Sequence, residues 1–121
     1  FRSKAKMLRS AAMLAMRMKH SAVLVFTRSG DLASKLGALR PNGAPLFAFT
    51  DIDGLHRRLR LIWGIEPFLM NFSENPELTI KNAIQKLKKE DWVESGDQLV
   101  TVTNVFAGGK VVESIQLREV E

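Results

Sequence analysis

Thr27-Arg28-Ser29-Gly30 follows the apolar run Ala22–Phe26 and leads into a helix-like pattern. A strand that ends in small polar residues at a helix start leaves free backbone N–H groups beside a positive dipole end. That is the chemistry of an anion site, and equally that of a well-capped corner. Asp51 and Asp53 form the nearest carboxylate pair, at a second strand-to-helix corner. Asp53 reads as a helix N-cap, and Asp51 has no assignable role beyond solubility. His20 and His56 stand far apart with no carboxylate pattern around them, so they read as surface or boundary residues. The sequence has no G-x-G-x-x-G, no G-x-x-x-x-G-K-[ST] and no G-x-S-x-G, and no catalytic constellation is evident.

Composition narrows the classes further. The 121 residues are 45% hydrophobic and 26% charged, which suits one globular domain over residues 1–121. Without cysteine, disulfides, thiolate catalysis and thiolate metal sites are excluded, and an interior compartment fits. No apolar run approaches the roughly 20 residues that cross a bilayer, so no membrane role is expected. The net charge of +5 invites a nucleic-acid reading. Its spread argues against one, because the basic residues fall on the first helical segment, on His56–Arg60 and on Lys86, Lys88 and Lys89. With no Tyr and with Phe confined to strand-like stretches, stacking platforms for single strands are not evident.

The elements that must position the turn read as alternating strands and helices. Residues 3–19 carry Met7, Ala11, Leu14, Ala15 and Met18 at helical spacing, and Met13 and Met16 add apolar surface on neighbouring faces. A helix that is apolar over more than one stripe suggests a second partner surface. Ala22–Phe26 reads as a strand covered on both faces, and residues 30–39 as a helix ended by Arg40-Pro41. Ala44–Thr50 is a second strand, and Asp53–Trp63 a helix stopped by Gly64. Residues 65–72 give a third strand, and residues 74–92 a helix with Pro76 in its first turn and Ile80, Ala83, Ile84 and Leu87 inward. Residues 98–105 and 111–120 are strands joined by a Gly108-Gly109 hairpin. The expected fold is a three-layer αβα sandwich on a five-stranded mixed sheet, four strands parallel and the last an antiparallel edge.

Thr27–Gly30, Arg40-Pro41, Ala48-Phe49-Thr50, His56-Arg57 with Leu59 and Leu61, Gly64-Ile65-Glu66-Pro67 and Gly96-Asp97 stand in an order that resembles the C-terminal domain of pyruvate kinases, in the form of plant plastid-type members. The match covers about residues 20–119. The resemblance implies a regulatory and oligomer-forming domain cut from a longer chain that opens here on Phe1. The reaction, phosphoenolpyruvate and ADP to pyruvate and ATP with magnesium and potassium, would belong to a barrel domain elsewhere in that chain. It further implies a plastid location, the barrel and other subunits as partners in a homo- or hetero-oligomer, and interface surfaces at Met7, Met13, Met16, Val112, Ile115 and Leu117.

The resemblance also makes Thr27, Arg28, Ser29 and Gly30 the phosphate loop of a fructose 1,6-bisphosphate site. Here Asp31 and Leu32 follow Gly30 where the family commonly has a cation and a hydroxyl, and Val112-Glu113-Ser114 replaces the hairpin's T-N-T. Counting back from Gly96 puts Thr79 where the effector-binding Arg belongs, and Trp92 falls late in the helix. Two carboxylates facing a bisphosphate trade charge-assisted contacts of roughly 1.5–3 kcal/mol each for repulsion, so the expectation is a degenerate site with weak single-anion capacity. Two other readings stand beside this one: a structural relative of pyruvate kinase without catalysis, and an unrelated anion- or nucleic-acid-binding α/β module.

Overall fold

The computed structural model describes residues 21–28, 45–62, 64–107 and 110–121. The two expected helices over 3–19 and 30–39 lie outside the described residues, as do Met7, Met13, Met16, Ser29 and Gly30. The described elements run β1 (Ser21–Phe26), β2 (Leu46–Thr50), α1 (Asp53–Leu59), β3 (Ile65–Leu69), α2 (Pro76–Lys89), β4 (Gln98–Ala107) and β5 (Lys110–Glu119).

They form one five-stranded sheet in the order β3-β2-β1-β4-β5. β1 lies at the centre, parallel to β2 through Val23↔Leu46 and to β4 through Val23↔Val100. β3 is parallel to β2, and β5 runs antiparallel to β4 from Gln98↔Glu119 to Ala107↔Lys110. The expected four parallel strands and one antiparallel edge are therefore present. Pro67 inside β3 cannot donate to a ladder on both sides, which suits β3 to the opposite edge. Chain order departs leftward from β1 to β2 and later arrives on its right at β4, so the carboxyl ends of β1 and β4 flank the switch point of a doubly wound sheet.

Strand alternation sends two different sets of side chains to the two faces. Val23, Val25, Leu46, Ala48, Val100 and Val102 pack with Leu55 and Leu59 of α1. Leu24, Phe26, Phe47, Phe49, Phe68 and Leu99 pack with Ile80, Ala83 and Leu87 of α2. Helices thus cover both faces, which gives the expected three layers.

Three helix ends differ from the sequence reading. At α1 the N-cap position is Ile52, which offers no side-chain acceptor, and Asp53 sits inside the first turn. Thr50 Oγ1 accepts from the Ile52 N–H at 3.2 Å, a side-chain turn directly after β2, and the helix begins one residue earlier than expected. Asp53 then pairs with Arg57 at 3.1 Å along the helix. The helix itself closes at Leu59, and the next bonds, Leu61 N–H to Arg58 O and Ile62 N–H to Leu59 O, are of the tighter i→i−3 kind.

α2 begins as the sequence suggests, with the Asn75 side chain accepting from Glu77 N–H at 3.0 Å and Pro76 in the first turn. It ends three residues before Trp92. Asp91 adopts φ 64°, Asp91 N–H reaches Lys88 O at 3.1 Å, and Trp92 N–H reaches Leu87 O at 2.9 Å. This paired closure is a Schellman motif with Asp in the place glycine favours. It folds Trp92 back onto Phe47 and Phe68, with centroids 5.7 and 5.9 Å away.

Candidate functional site

The turn after β1 is built at the carboxyl ends of three parallel strands. Thr27 is buried, and its N–H donates to Phe49 O at 2.9 Å, which extends the β1–β2 ladder by one bond. Arg28 follows at the surface. Its guanidinium meets Asp51, the first residue beyond β2, through Nη2–H to Oδ2 at 2.9 Å and Nε–H to both carboxylate oxygens at 3.2 Å. Its Cζ also lies 5.4 Å from the ring centroid of Phe72, beyond β3. Phe72 in turn packs edge-on against Phe26 at 5.7 Å. Arg28 therefore knits the ends of β1, β2 and β3 together, and the Asp51 carboxylate neutralises it from within the fold.

Asp51 and Asp53, two residues apart in sequence, consequently serve separate arginines and make no acid–base pair. His56 lies on α1, half-buried, away from any such pair. Among the described residues no cluster of three His, Cys, Asp or Glu side chains could hold a metal ion, and no helix is long and apolar enough to cross a membrane.

A second arginine clamp joins the other side of the domain. Arg118 on β5 donates from Nη1 to Glu77 Oε2 at 2.7 Å and from Nη2 to Glu77 Oε1 at 2.6 Å, a parallel two-bond fork onto the first turn of α2. Gln116 Oε1 accepts from Nη2–H at 2.6 Å and from Nε–H at 3.0 Å. The hydrogen bonds from Arg118 hold the Glu77 carboxyl below its ordinary value, and the bond to Glu77 raises the guanidinium above its own. Thr79, one turn on, is buried. Its Oγ1 accepts from Ser73 N–H at 2.8 Å, so the hydroxyl is occupied in shaping the entry to α2.

The family described as pyruvate kinase, alpha/beta domain, matches residues 5–112. The chain belongs to that family. It is 35% identical over 103 residues to the chloroplastic pyruvate kinase isozyme A of Nicotiana tabacum, covering 85% of this chain and 17% of that protein. Plastidial pyruvate kinase 2 of Arabidopsis thaliana is 34% identical over 103 residues, with 83% of this chain and 18% of that protein covered. In fold, the chain matches the Cryptosporidium parvum pyruvate kinase structure solved with ADP at a TM-score of 0.87 and 22% identity, over 98% of this chain and 24% of that one. It thus spans under a fifth of the curated relatives named.

Of the residues expected to bind an effector, the pyruvate kinase domain described here places Thr27 and Arg28 at the switch point, while Ser29 and Gly30 lie outside the described residues. Of the interface candidates on β5, Ile115 is half-buried against the α1-side core, Leu117 is exposed, and the Val112 side chain lies outside the described set. Sequence reasoning missed Asp51, Phe72 and the Glu77–Arg118 fork. Those partners are 23, 44 and 41 positions apart respectively, and no local spacing signals them.

Proposed function

We propose that this chain is the assembly and regulatory domain of a pyruvate kinase whose fructose 1,6-bisphosphate site has degenerated. The parent protein transfers the phosphoryl group of phosphoenolpyruvate to ADP, in a plastid, through a barrel domain of the same chain. Magnesium and potassium belong to that barrel; among the described residues the carboxylates pair with arginine or lysine or stand apart, and no three of them gather as a cation site would need.

The observation that carries the degenerate site is the Arg28–Asp51 fork. A phosphate at the turn would have to displace a carboxylate already held through 2.9 and 3.2 Å bonds. Thr79, at the position the resemblance gives to an effector arginine, is a buried neutral hydroxyl spent on Ser73. The loop is left as a tie between strand ends with one internally balanced cation.

Steady-state kinetics of the parent enzyme test this reading. The expected result is turnover of phosphoenolpyruvate with an apparent KM that millimolar fructose 1,6-bisphosphate leaves unchanged. In Asp51→Ala the freed Arg28 should gain measurable affinity for inorganic phosphate. A several-fold fall in KM with the bisphosphate overturns the degenerate site, and a parent that binds no phosphoenolpyruvate and turns none over supports the non-catalytic relative instead.

A further inference from the structure

On the side of the domain defined by the last turns of α2 and the end of β5 lies an open groove of about 820 Å³. That volume is within the roughly 300–1,000 Å³ range of small-molecule sites. Its walls are Lys81, Ile84, Gln85, Lys88 and Lys89 from α2, with Arg118, Glu119 and Glu121 opposite. Four of these side chains are cationic. Among the described residues no carboxylate forms a close ion pair with Lys81 or Lys89, although Lys81 is near enough to Glu77 to help hold that carboxyl below its ordinary value; Lys86, on another face of the helix, is paired with Glu90 at 3.1 Å.

Of the opposing acids, Glu119 points elsewhere. Glu119 follows Arg118 in β5, and strand alternation turns its side chain toward the opposite face. Glu121 lines the groove, and its main-chain oxygen accepts from Lys88 Nζ at 2.5 Å and from Ser95 Oγ at 3.1 Å, so Lys88 is already committed. Lys81 and Lys89 are eight residues apart, so at about 1.5 Å rise per residue their attachment points are roughly 12 Å apart along α2. A single phosphate cannot meet both lysines, but a row of phosphates can.

We infer that the α2–β5 groove binds an elongated polyphosphate group lying along α2, held at its ends by Lys81 and Lys89, with Ile84 as the apolar floor between. Arg118, its fork committed to Glu77, forms a charge-balanced wall and takes no direct part. The site is separate from the Thr27–Gly30 turn, whose Arg28 ties together strand ends and takes no part in the groove.

Calorimetric titration of the parent polypeptide with inorganic tripolyphosphate, in low-salt buffer without divalent cations, tests the assignment. The expected result is a saturable site at least tenfold tighter than for orthophosphate that weakens steeply with salt. Lys81→Ala with Lys89→Ala should weaken it tenfold or more, Glu121→Gln should tighten it a few-fold, and Arg28→Ala should leave it unchanged. Both lysines are exposed, and an unchanged unfolding midpoint in the double variant shows that the fold is retained. Equal affinity in the double variant, no saturable binding, or loss on Arg28→Ala alone overturns the proposal.

Discussion

The two faces of the sheet are built from different materials. The α1 side is aliphatic, with Val23, Val25, Ala48, Val100 and Val102 under a helix of seven residues that has no side-chain cap. The α2 side is aromatic, with Phe49 stacked on Phe68 at 4.9 Å and tilted against Phe26 at 5.7 Å, under a helix of fourteen residues capped at both ends. Small β-branched side chains each contribute little area, whereas rings bury about 150–250 Å² apiece. The difference indicates that the α2 side carries more of the stability and the α1 side is the easier one to loosen.

Core truncations probe that difference most strongly. Phe49→Ala should cost about 3–5 kcal/mol, because the ring is fully buried between two others and its loss leaves a cavity. Val25→Ala on the opposite face should cost about 2 kcal/mol. Urea unfolding followed by tryptophan fluorescence measures both, and equal losses would break the contrast.

The helix starts give a smaller and oppositely signed pair. Asn75→Ala removes the acceptor for Glu77 N–H and should cost about 1 kcal/mol, whereas Ile52→Ser supplies a cap that α1 lacks and should gain about 0.5–1 kcal/mol. At the end of α2, Asp91→Gly relieves a left-handed residue and should stabilise by roughly 0.5 kcal/mol, read as a shift in urea midpoint at constant slope.

The two arginine forks sharpen the same comparison through electrostatics. Arg28 is 66% exposed, and its pair with Asp51 should contribute no more than about 1 kcal/mol. Arg118 is 21% exposed and is oriented by Gln116, and there the Glu77 carboxyl is held below its ordinary value of 4.5. A depressed folded value means that this contribution is complete above 4.5 and is lost as pH falls through the lower folded value. Acid titration of stability should therefore show a small loss in that window that Glu77→Gln lacks. An identical profile in both proteins would mean that the fork adds nothing on folding.

Much of the fold was legible from one-dimensional pattern. The run Ala22–Phe26 identified a strand covered on both faces, and Gly108-Gly109 between two strand patterns marked an antiparallel edge. Pro76 and the inward spacing of Ile80, Ala83 and Leu87 located α2. The helix ends were less legible, because they turn on single hydrogen bonds. The turn in which Thr50 Oγ1 accepts from Ile52 N–H precedes the earlier start of α1, and the left-handed Asp91 stopped α2 before Trp92.

The candidate site was legible as residue types and opaque as relationships. Thr27 and Arg28 stand out because a polar turn after an apolar run is a local signal. Asp51 looked idle because its partner is a whole βα unit away. By itself the sequence determined the periodicities, hence the strands, the helices and their αβα layering, since burial at period 2 or 3.6 is written residue by residue. Only the tertiary structure decided which charges cancel. An ion pair depends on two chain positions brought together by strand order, and placing β2 beside β1 set Asp51 against Arg28 just as placing β5 beside β4 set Arg118 against Glu77.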